Sequence, residues 1–517
     1  MGKKLFGVSL GDAGLAGISG LLLTASFPKV DWGWLAWIAL VPLFYTIKAK
    51  PPLSSLKLGL LTGLVHYTTL LYWMIGVMAT YGQLPIILCG TILALFVVYL
   101  SLYPAAFSML FSRCRAASRL HFWCAPFLWA GLEYVRAYLL SGFPWENLGC
   151  SQYNRLHLIQ ISDILGVYGL SALVVAVNAT LFELYDTWKR KRAFAWKPTL
   201  AMAVVMTGFV AYGTWRTARV DRDAESAPRR SVSVVQGDID QSVKWVASFQ
   251  GETLRRYGKL SLEALKDRPD LIIWPETALP FYFLHDKALS EQVLDLVRRW
   301  GVFFLVGSPS FRSHGSEIHY YNSAFLLGPS GDVLGQYDKV HLVPYGEYVP
   351  LKRFFPFLGK IVEAVGNFES GEEGQVLSLN REKLGVLICF EAIFSPLARA
   401  MVQNGAQLLV NITNDAWFGN SSAPYQHLSM VVFRAVENHR AVARAANTGI
   451  SAFIDPVGRL LEETPLFQEA VRTRTMPMLD NKTFYTSHGD LFAMGCILIS
   501  LILCVGAFRN RPFFNMT

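Results

Sequence analysis

About eight stretches of roughly spanning length, almost free of charge, constrain this chain more than any other feature; they lie near residues 8–26, 32–47, 58–78, 84–110, 122–140, 164–185, 200–215 and 491–508. Uncharged runs of that length are at home in hydrocarbon, where a helix satisfies every backbone polar group within itself. With 52% hydrophobic and only 16% charged residues in 517, the chain is too apolar for an ordinary soluble enzyme. It reads as a polytopic helical membrane bundle with a globular insert. The first stretch follows Lys3 and Lys4 as a signal peptide would, but it lacks a small-residue cleavage site and is kept as an anchor.

Basic residues mark alternate loops. Lys48, Lys50 and Lys57 follow the second stretch, Arg113, Arg115 and Arg119 the fourth, and Lys189, Arg190, Lys191 and Arg192 the sixth. With Lys3 and Lys4 at one end and Arg509 and Arg511 at the other, the positive-inside rule puts both termini in the cytoplasm and exports the middle of the chain. The formal charge of +9 is thus a topology signal, and nucleic acid is not an expected partner. The expected organisation is a transmembrane region over 1–216, an exported domain over 217–489 and a last span with a cytoplasmic tail over 490–517.

From residue 231 onward, short β-branched and aliphatic runs alternate with amphipathic segments, an α/β pattern. Strands are expected over 231–236, 271–274, 302–307, 321–327, 384–389, 407–412 and 451–454, and helices over 254–265, 290–300 and the longer 426–446. No internal repeat is visible. Cys389 is the one cysteine in this middle, since Cys89, Cys114, Cys124, Cys150, Cys496 and Cys504 all lie in or beside apolar stretches. A lone thiol in an oxidising compartment has no disulfide partner and is retained chiefly for chemistry. Polar residues end three of the apolar runs: Glu276 after Leu271-Ile272-Ile273-Trp274-Pro275, Lys339 in Tyr337-Asp338-Lys339, and Cys389 itself. A carboxylate can take the thiol proton and an ammonium can hold an oxyanion, which suffices for acyl transfer, with the Phe390 N–H as a second oxyanion donor.

Glu, Lys and Cys at strand ends in this order resemble the nitrilase superfamily, which implies an αββα sandwich. With membrane spans on both sides, the chain is similar to the bacterial apolipoprotein N-acyltransferase family through Trp274-Pro275-Glu276-Thr277, Tyr337-Asp338-Lys339, Gly346-Glu347-Tyr348-Val349-Pro350 and Cys389-Phe390-Glu391. The resemblance implies Glu276 as general base, Lys339 as oxyanion stabiliser and Cys389 as nucleophile, with Glu347 and Glu391 in support. Val235-Gln236-Gly237-Asp238-Ile239 followed by Lys244-Trp245 also matches, making Trp245 the expected substrate contact. Tyr345 stands where phenylalanine is expected and Phe390 where tyrosine is frequent; neither change removes a catalytic group. The resemblance further implies a phospholipid acyl donor, a diacylated apolipoprotein acceptor, a cysteine thioester intermediate and a bacterial inner-membrane location with the catalytic domain in the periplasm. No metal or organic cofactor is implied, and the chain is taken as a monomer.

Blander readings stand beside these. Glu276 could cap a helix, Lys339 could be a solvated strand lysine and Cys389 a structural thiol; their joint occurrence argues for chemistry. A membrane-tethered amidase and a catalytically dead binding protein remain alternatives. Arg434, Glu437, Arg440 and Arg444 recur at helical spacing as an ion-pair ladder, and Asn414-Asp415 forms an Asx-turn. Residues 351–358 and 280–284 are aromatic segments suited either to a membrane interface or to a buried loop. Glu133 and Arg136 are expected to pair within the membrane. Trp145, in Phe143-Pro144-Trp145-Glu146, is an interfacial anchor or part of a lipid-entry wall.

Overall fold

The computed structural model describes residues 4–5, 7–117, 124–191, 196–315, 317–348 and 368–510. They form two compact units. One holds the described residues up to Ile75, those of 85–217 and those from His488 onward, and the other holds Gly76–Leu84 and Ala218–Ser487.

The first unit is helical. Among the described residues three helices are long and apolar enough to cross a membrane, within Ile86–Arg115, Ser162–Lys189 and Trp196–Ser226. Pro52–Leu70 and Trp73–Thr80, bent by 53° at their junction, would make a fourth if they form one broken span. Leu10–Ala25, Gly33–Ile47 and Leu491–Ala507 are apolar but shorter, and Cys124–Tyr138 has only 15 residues. Among the described residues, three or four of the expected eight spans are thus carried by helices long and apolar enough to cross a membrane.

Gly59 and Gly63, one turn apart, let Pro52–Leu70 come close to Ile86–Ala117; a Cβ on Gly63 would sit 2.8 Å from the Ser101 Cα. Glu133 and Arg136 are buried, and the hydrogen bonds of each go to other partners. Glu133 accepts from the Trp129 indole at 2.9 Å and the Leu148 N–H at 2.7 Å, whereas Arg136 donates to Tyr67 Oη and Asn147 Oδ1, both at 2.7 Å.

The second unit is a sandwich of two mixed six-stranded sheets. Its strands are β1 (Arg229–Gln236), β2 (Leu271–Ile273), β3 (Phe303–His314), β4 (Glu317–Leu327), β5 (Val333–Asp338), β6 (Val376–Leu379), β7 (Glu382–Ile388), β8 (Leu408–Thr413), β9 (Ala441–Ala446), β10 (Ala452–Ile454), β11 (Leu460–Glu463) and β12 (Ala470–Pro477). The sheet orders are β12-β1-β2-β3-β4-β5 and β6-β7-β8-β9-β10-β11. Each has a parallel triplet, β1-β2-β3 or β7-β8-β9, with one antiparallel strand on one side and two on the other. The two halves thus share one topology that the sequence does not display as a repeat. Helices make the crossovers: α1 (Ala247–Ala264) and α2 (Lys287–Trp300) in the first half, α3 (Ser395–Gln403) and α4 (Ala423–Asn438) in the second.

Amphipathic spacing drives this packing. Leu254, Tyr257 and Leu260 of α1 and Val293 and Val297 of α2 share one core with Val235, Ile272 and Phe304 of the sheet. Asp286 caps α2 by accepting from the Leu289 N–H, and Gly301 ends it at φ 65°. Strand β8 is buried along its whole length, which explains its unbroken apolar run. Phe281 and Phe283 belong to this core, so much of the 280–284 aromatic segment is buried; residues 351–358 lie outside the described residues.

One expected helix divides. Residues 426–446 are the larger part of α4 followed by β9, because His439 adopts a left-handed φ of 48° and the alanine-rich run beyond it pairs in parallel with β8. The ion-pair ladder divides with it. Arg434 does pair with Glu437 at 2.8 Å, but Arg440 donates to main-chain oxygens including Ala406 O, and Arg444 belongs to β9 and bonds Asp415.

The turn after β2 lies against Gly307 of β3, with no room for a side chain. A Cβ there would stand 2.7 Å from the Thr277 nitrogen and 2.8 Å from the Glu276 Cα, and would overlap the Pro275 carbonyl. Gly307→Ala is expected to destabilise the domain by about 1–3 kcal/mol, read as a lowered unfolding midpoint; an unchanged midpoint would show that the turn has room.

Candidate active site

Chemistry collects at the carboxyl ends of the two parallel triplets, where open α/β sheets leave a crevice. On the first sheet, Glu276 follows β2 by three residues and Lys339 directly follows β5. On the second, Cys389 directly follows β7 and opens a 3-10 turn. The register pairs Ile388 with Ile412, so Cys389 comes beside Thr413, the last residue of β8. Asn447 ties the two sheet ends together: its carbonyl accepts from the Asp238 N–H at 2.9 Å, and its side chain bonds both main-chain groups of Ile239.

Lys339 is 1% exposed. Its Nζ lies 3.0 Å from Glu347 Oε1 and 3.7 Å from Glu276 Oε1. Burial would strip its proton, but the two carboxylates outweigh burial and hold it protonated, well above the usual lysine range. Asn322, on β4, bridges these carboxylates with its Nδ2 at 2.8 Å from Glu276 Oε1 and 2.9 Å from Glu347 Oε1. The second Glu276 oxygen accepts from the Asn414 N–H at 2.9 Å, and the second Glu347 oxygen from the Val343 N–H at 2.8 Å. Every oxygen of both acids is engaged.

Cys389 is buried and takes a left-handed φ of 55°, a conformation that a side chain disfavours and that the surroundings must enforce. Burial raises its thiol well above the ordinary cysteine range; the Glu276 charge adds to the rise and Lys339 opposes it. The resting sulfur is therefore a neutral thiol. Glu391, fully buried two residues on, fixes the turn. It reaches back to the Ile388 N–H at 2.7 Å, as in half of a capping box, and accepts from the Val340 N–H at 2.6 Å, the His341 N–H at 3.1 Å and the Tyr337 hydroxyl at 2.9 Å. The Cys389 turn and the segment after Lys339 thus share one carboxylate. Burial pushes Glu391 up to about 7 in spite of these donors.

Phe390 packs against the close pair of His341 and Phe394, with ring centroids 6.0 and 5.2 Å away. Trp245 is half-buried at the end of the short helix Gln241–Lys244, and the neighbouring Lys244, 1% exposed, donates to the Glu276 carbonyl oxygen at 3.3 Å. Trp145 belongs to the helical unit, where it is buried between Trp73 and Phe143 at 5.1 and 5.9 Å. The sequence reading missed Asn322 and Lys244 and left Asn414 and Asp415 outside the site. An asparagine in an apolar strand and a lysine before a tryptophan carry no spacing that would reveal them.

Comparison with known proteins gives a consistent result. Residues 19–180 match the family described as apolipoprotein N-acyltransferase N-terminal domain, and residues 231–480 match carbon-nitrogen hydrolase. Among curated proteins named apolipoprotein N-acyltransferase, that of Geobacter metallireducens is 44% identical over 97% of this chain and 96% of its own length. The one from Chlorobaculum tepidum is 34% identical over 96% of each chain, and that from Pasteurella multocida 30% over 99% and 98%. An amidase structure from Nesterenkonia sp. is 20% identical, with a TM-score of 0.38, over 50% of this chain and 92% of its own.

Glu276→Gln removes a negative charge that holds the thiol protonated. Alkylation of Cys389 by iodoacetamide at fixed pH should therefore become faster in this variant, and in the wild-type protein it should climb with pH through 7 to 9 without a plateau, by about tenfold per unit. A wild-type plateau below pH 8 would mean a preformed thiolate.

Proposed function

The chain belongs to the apolipoprotein N-acyltransferase family, and from that premise we propose that it moves an acyl chain from a phospholipid to the N-terminal amine of a diacylglyceryl-modified apolipoprotein by way of Cys389. The observation that carries this reading is the meeting of a base and a cation at 3.7 Å, both acting electrostatically on the one cysteine between the sheets. Glu276 takes the thiol proton as the sulfur attacks the ester carbonyl. Lys339 Nζ and the Phe390 N–H hold the oxyanion, and the collapsing intermediate expels the alkoxide of a lysophospholipid, to which Glu276 returns the proton. A thioester remains on Cys389.

In the second half the acceptor, entering as free amine, attacks the thioester carbon. Glu276 receives a proton from the nitrogen and passes it to the departing sulfur, leaving an amide and the restored thiol. Because the resting thiol is neutral, proton transfer belongs to each attack rather than preceding it. Glu347 keeps Lys339 aimed, and Glu391 keeps the nucleophile's turn in register with it. Trp245 and Trp145 are the proposed substrate contacts. Both substrates are lipids, which gives the helical unit its purpose.

The same reading keeps about eight crossings, since a basic loop after every second apolar stretch fits that count. It places residues 1–216 and 490–517 in a bacterial inner membrane, with both termini cytoplasmic, the 217–489 domain periplasmic and the chain a monomer.

Purified protein given phospholipid alone should acquire a hydroxylamine-labile acyl adduct on Cys389, visible by peptide mass spectrometry, that moves to a diacylglyceryl peptide when one is added. Cys389→Ala should insert normally and lose turnover by on the order of 10³-fold or more; full activity would sink the mechanism, and discharge to water alone would make the protein a hydrolase. Proteinase K added to spheroplasts should digest the 218–487 unit and spare a C-terminal tag. The reverse pattern would invert the topology.

A further inference from the structure

A buried polar cluster not used in this mechanism lies against the nucleophile. His427, on α4, is 1% exposed, and its Nε2 stands 3.2 Å from the carbonyl oxygen of Cys389. Its Nδ1 is 3.2 Å from Asp415 Oδ1 and equally far from a guanidinium nitrogen of Arg444. Arg444, fully buried on β9, donates to Asp415 Oδ2 at 2.6 Å and also bonds Asn411 Oδ1. Thr413 completes the group by donating its hydroxyl to Asp415 Oδ1 at 2.9 Å.

The protonation pattern follows from who can donate. A carbonyl only accepts, so the imidazole must carry a proton on Nε2 to bond Cys389. In the neutral ring Nδ1 is then an acceptor, and the Arg444 N–H supplies it. A second proton on Nδ1 would set a cation against Arg444 where Asp415 is the one carboxylate, in a site closed to water. Burial and Arg444 accordingly hold His427 below its ordinary range, while Arg444 and His427 keep Asp415 at about 2 despite burial. One carboxylate balances one guanidinium, and the ring between them is neutral.

Cys389 is a non-glycine residue in the left-handed region, and such a conformation persists only where neighbours over-determine it. Glu391 grips the amide just before it, and His427 meets the carbonyl just after its Cα. The two contacts bracket the residue. We propose that His427 is a positioning residue for the nucleophile: its ring, fixed in the Nε2–H form by Arg444, donates to the Cys389 carbonyl and holds the turn that presents the thiol to Glu276. This rests on the reading of Cys389 as nucleophile.

The test is a pair of isosteric variants of the full-length protein in detergent. Glutamine can set an N–H where Nε2 was, whereas asparagine reaches only the Nδ1 position. Two rates are read: iodoacetamide alkylation of Cys389 across pH 6–10 with no lipid present, and single-turnover acylation of Cys389 from phospholipid. His427→Gln should keep both within about threefold of wild type, and His427→Asn should slow acylation by about tenfold or more and, by turning the sulfur away from the Glu276 charge, quicken alkylation by a similar factor, while the KM for the acceptor peptide stays within about twofold. Equal rates in the two folded variants would overturn the proposal. If asparagine does not fold, glutamine alone decides, and a folded Gln variant slowed tenfold refutes it; if neither folds, His427 is scaffold and the positioning role falls. Because alkylation needs no substrate, the expected split in alkylation with no acylation even in wild type would uphold the positioning role and reject the acyltransferase reading instead.

Discussion

A buried ammonium has to be matched by charge at short range, because the interior offers it no water and an unmatched cation there would lose its proton or unfold its surroundings. Lys339 is matched twice, by Glu347 and Glu276, and Asn322 holds those two acids to each other. Three separate segments, the turn after β2, strand β4 and the loop after β5, are thereby locked into one body. Two carboxylates against one ammonium leave an excess of negative charge, and it is felt by the neighbouring sulfur. Burial first, and the Glu276 charge with it, keep the thiol protonated against the pull of Lys339.

The two halves of the sandwich share a layout but divide the labour. The first sheet contributes Glu276 and Lys339, the second Cys389, and each contributes them just past the carboxyl end of a strand. Neither half has a site alone. Among the groups that join them are Asn447 across the sheet ends, the Asn414 N–H reaching Glu276, and the Glu391 carboxylate held by Tyr337, Val340 and His341. Asn414 sits between Thr413 and Asp415, so one three-residue stretch touches the base and borders the cluster beneath the nucleophile.

Glu276, Lys339 and Cys389 each break an apolar run, and a polar residue at such a break has few structural reasons to be there, so the sequence singles out three residues that the fold brings within electrostatic reach of one another. The α/β character of the domain was legible for the same reason: central strands buried on both faces announce themselves as β-branched runs. Edge strands do not. Val333–Asp338, Val376–Leu379, Leu460–Glu463 and Ala470–Pro477 alternate with solvent or carry charge, and their pairing depends on partners far along the chain. Helical spacing over 426–446 carries the expected helix into Ala441–Ala446, where pairing and burial within the second sheet make a strand instead. Apolar stretches in the first 220 residues were found from composition, but composition does not report a helix that stops early, as at Leu70. Asn322 and His427 act through bonds to residues 38 to 46 positions away, and one sequence holds no trace of such pairs.

Strand β12 pairs with β1 along its whole length, and the hydroxyls of Ser233 and Thr473 meet across 240 residues of chain. The sheet that carries the base is therefore closed by nearly the last piece of the domain to leave the ribosome. A chain halted before residue 470 would already contain all three reactive groups, yet one side of β1 would hang open, an edge that invites aggregation and proteolysis. Closure of the sheet that bears Glu276 is thus tied to completion of the domain.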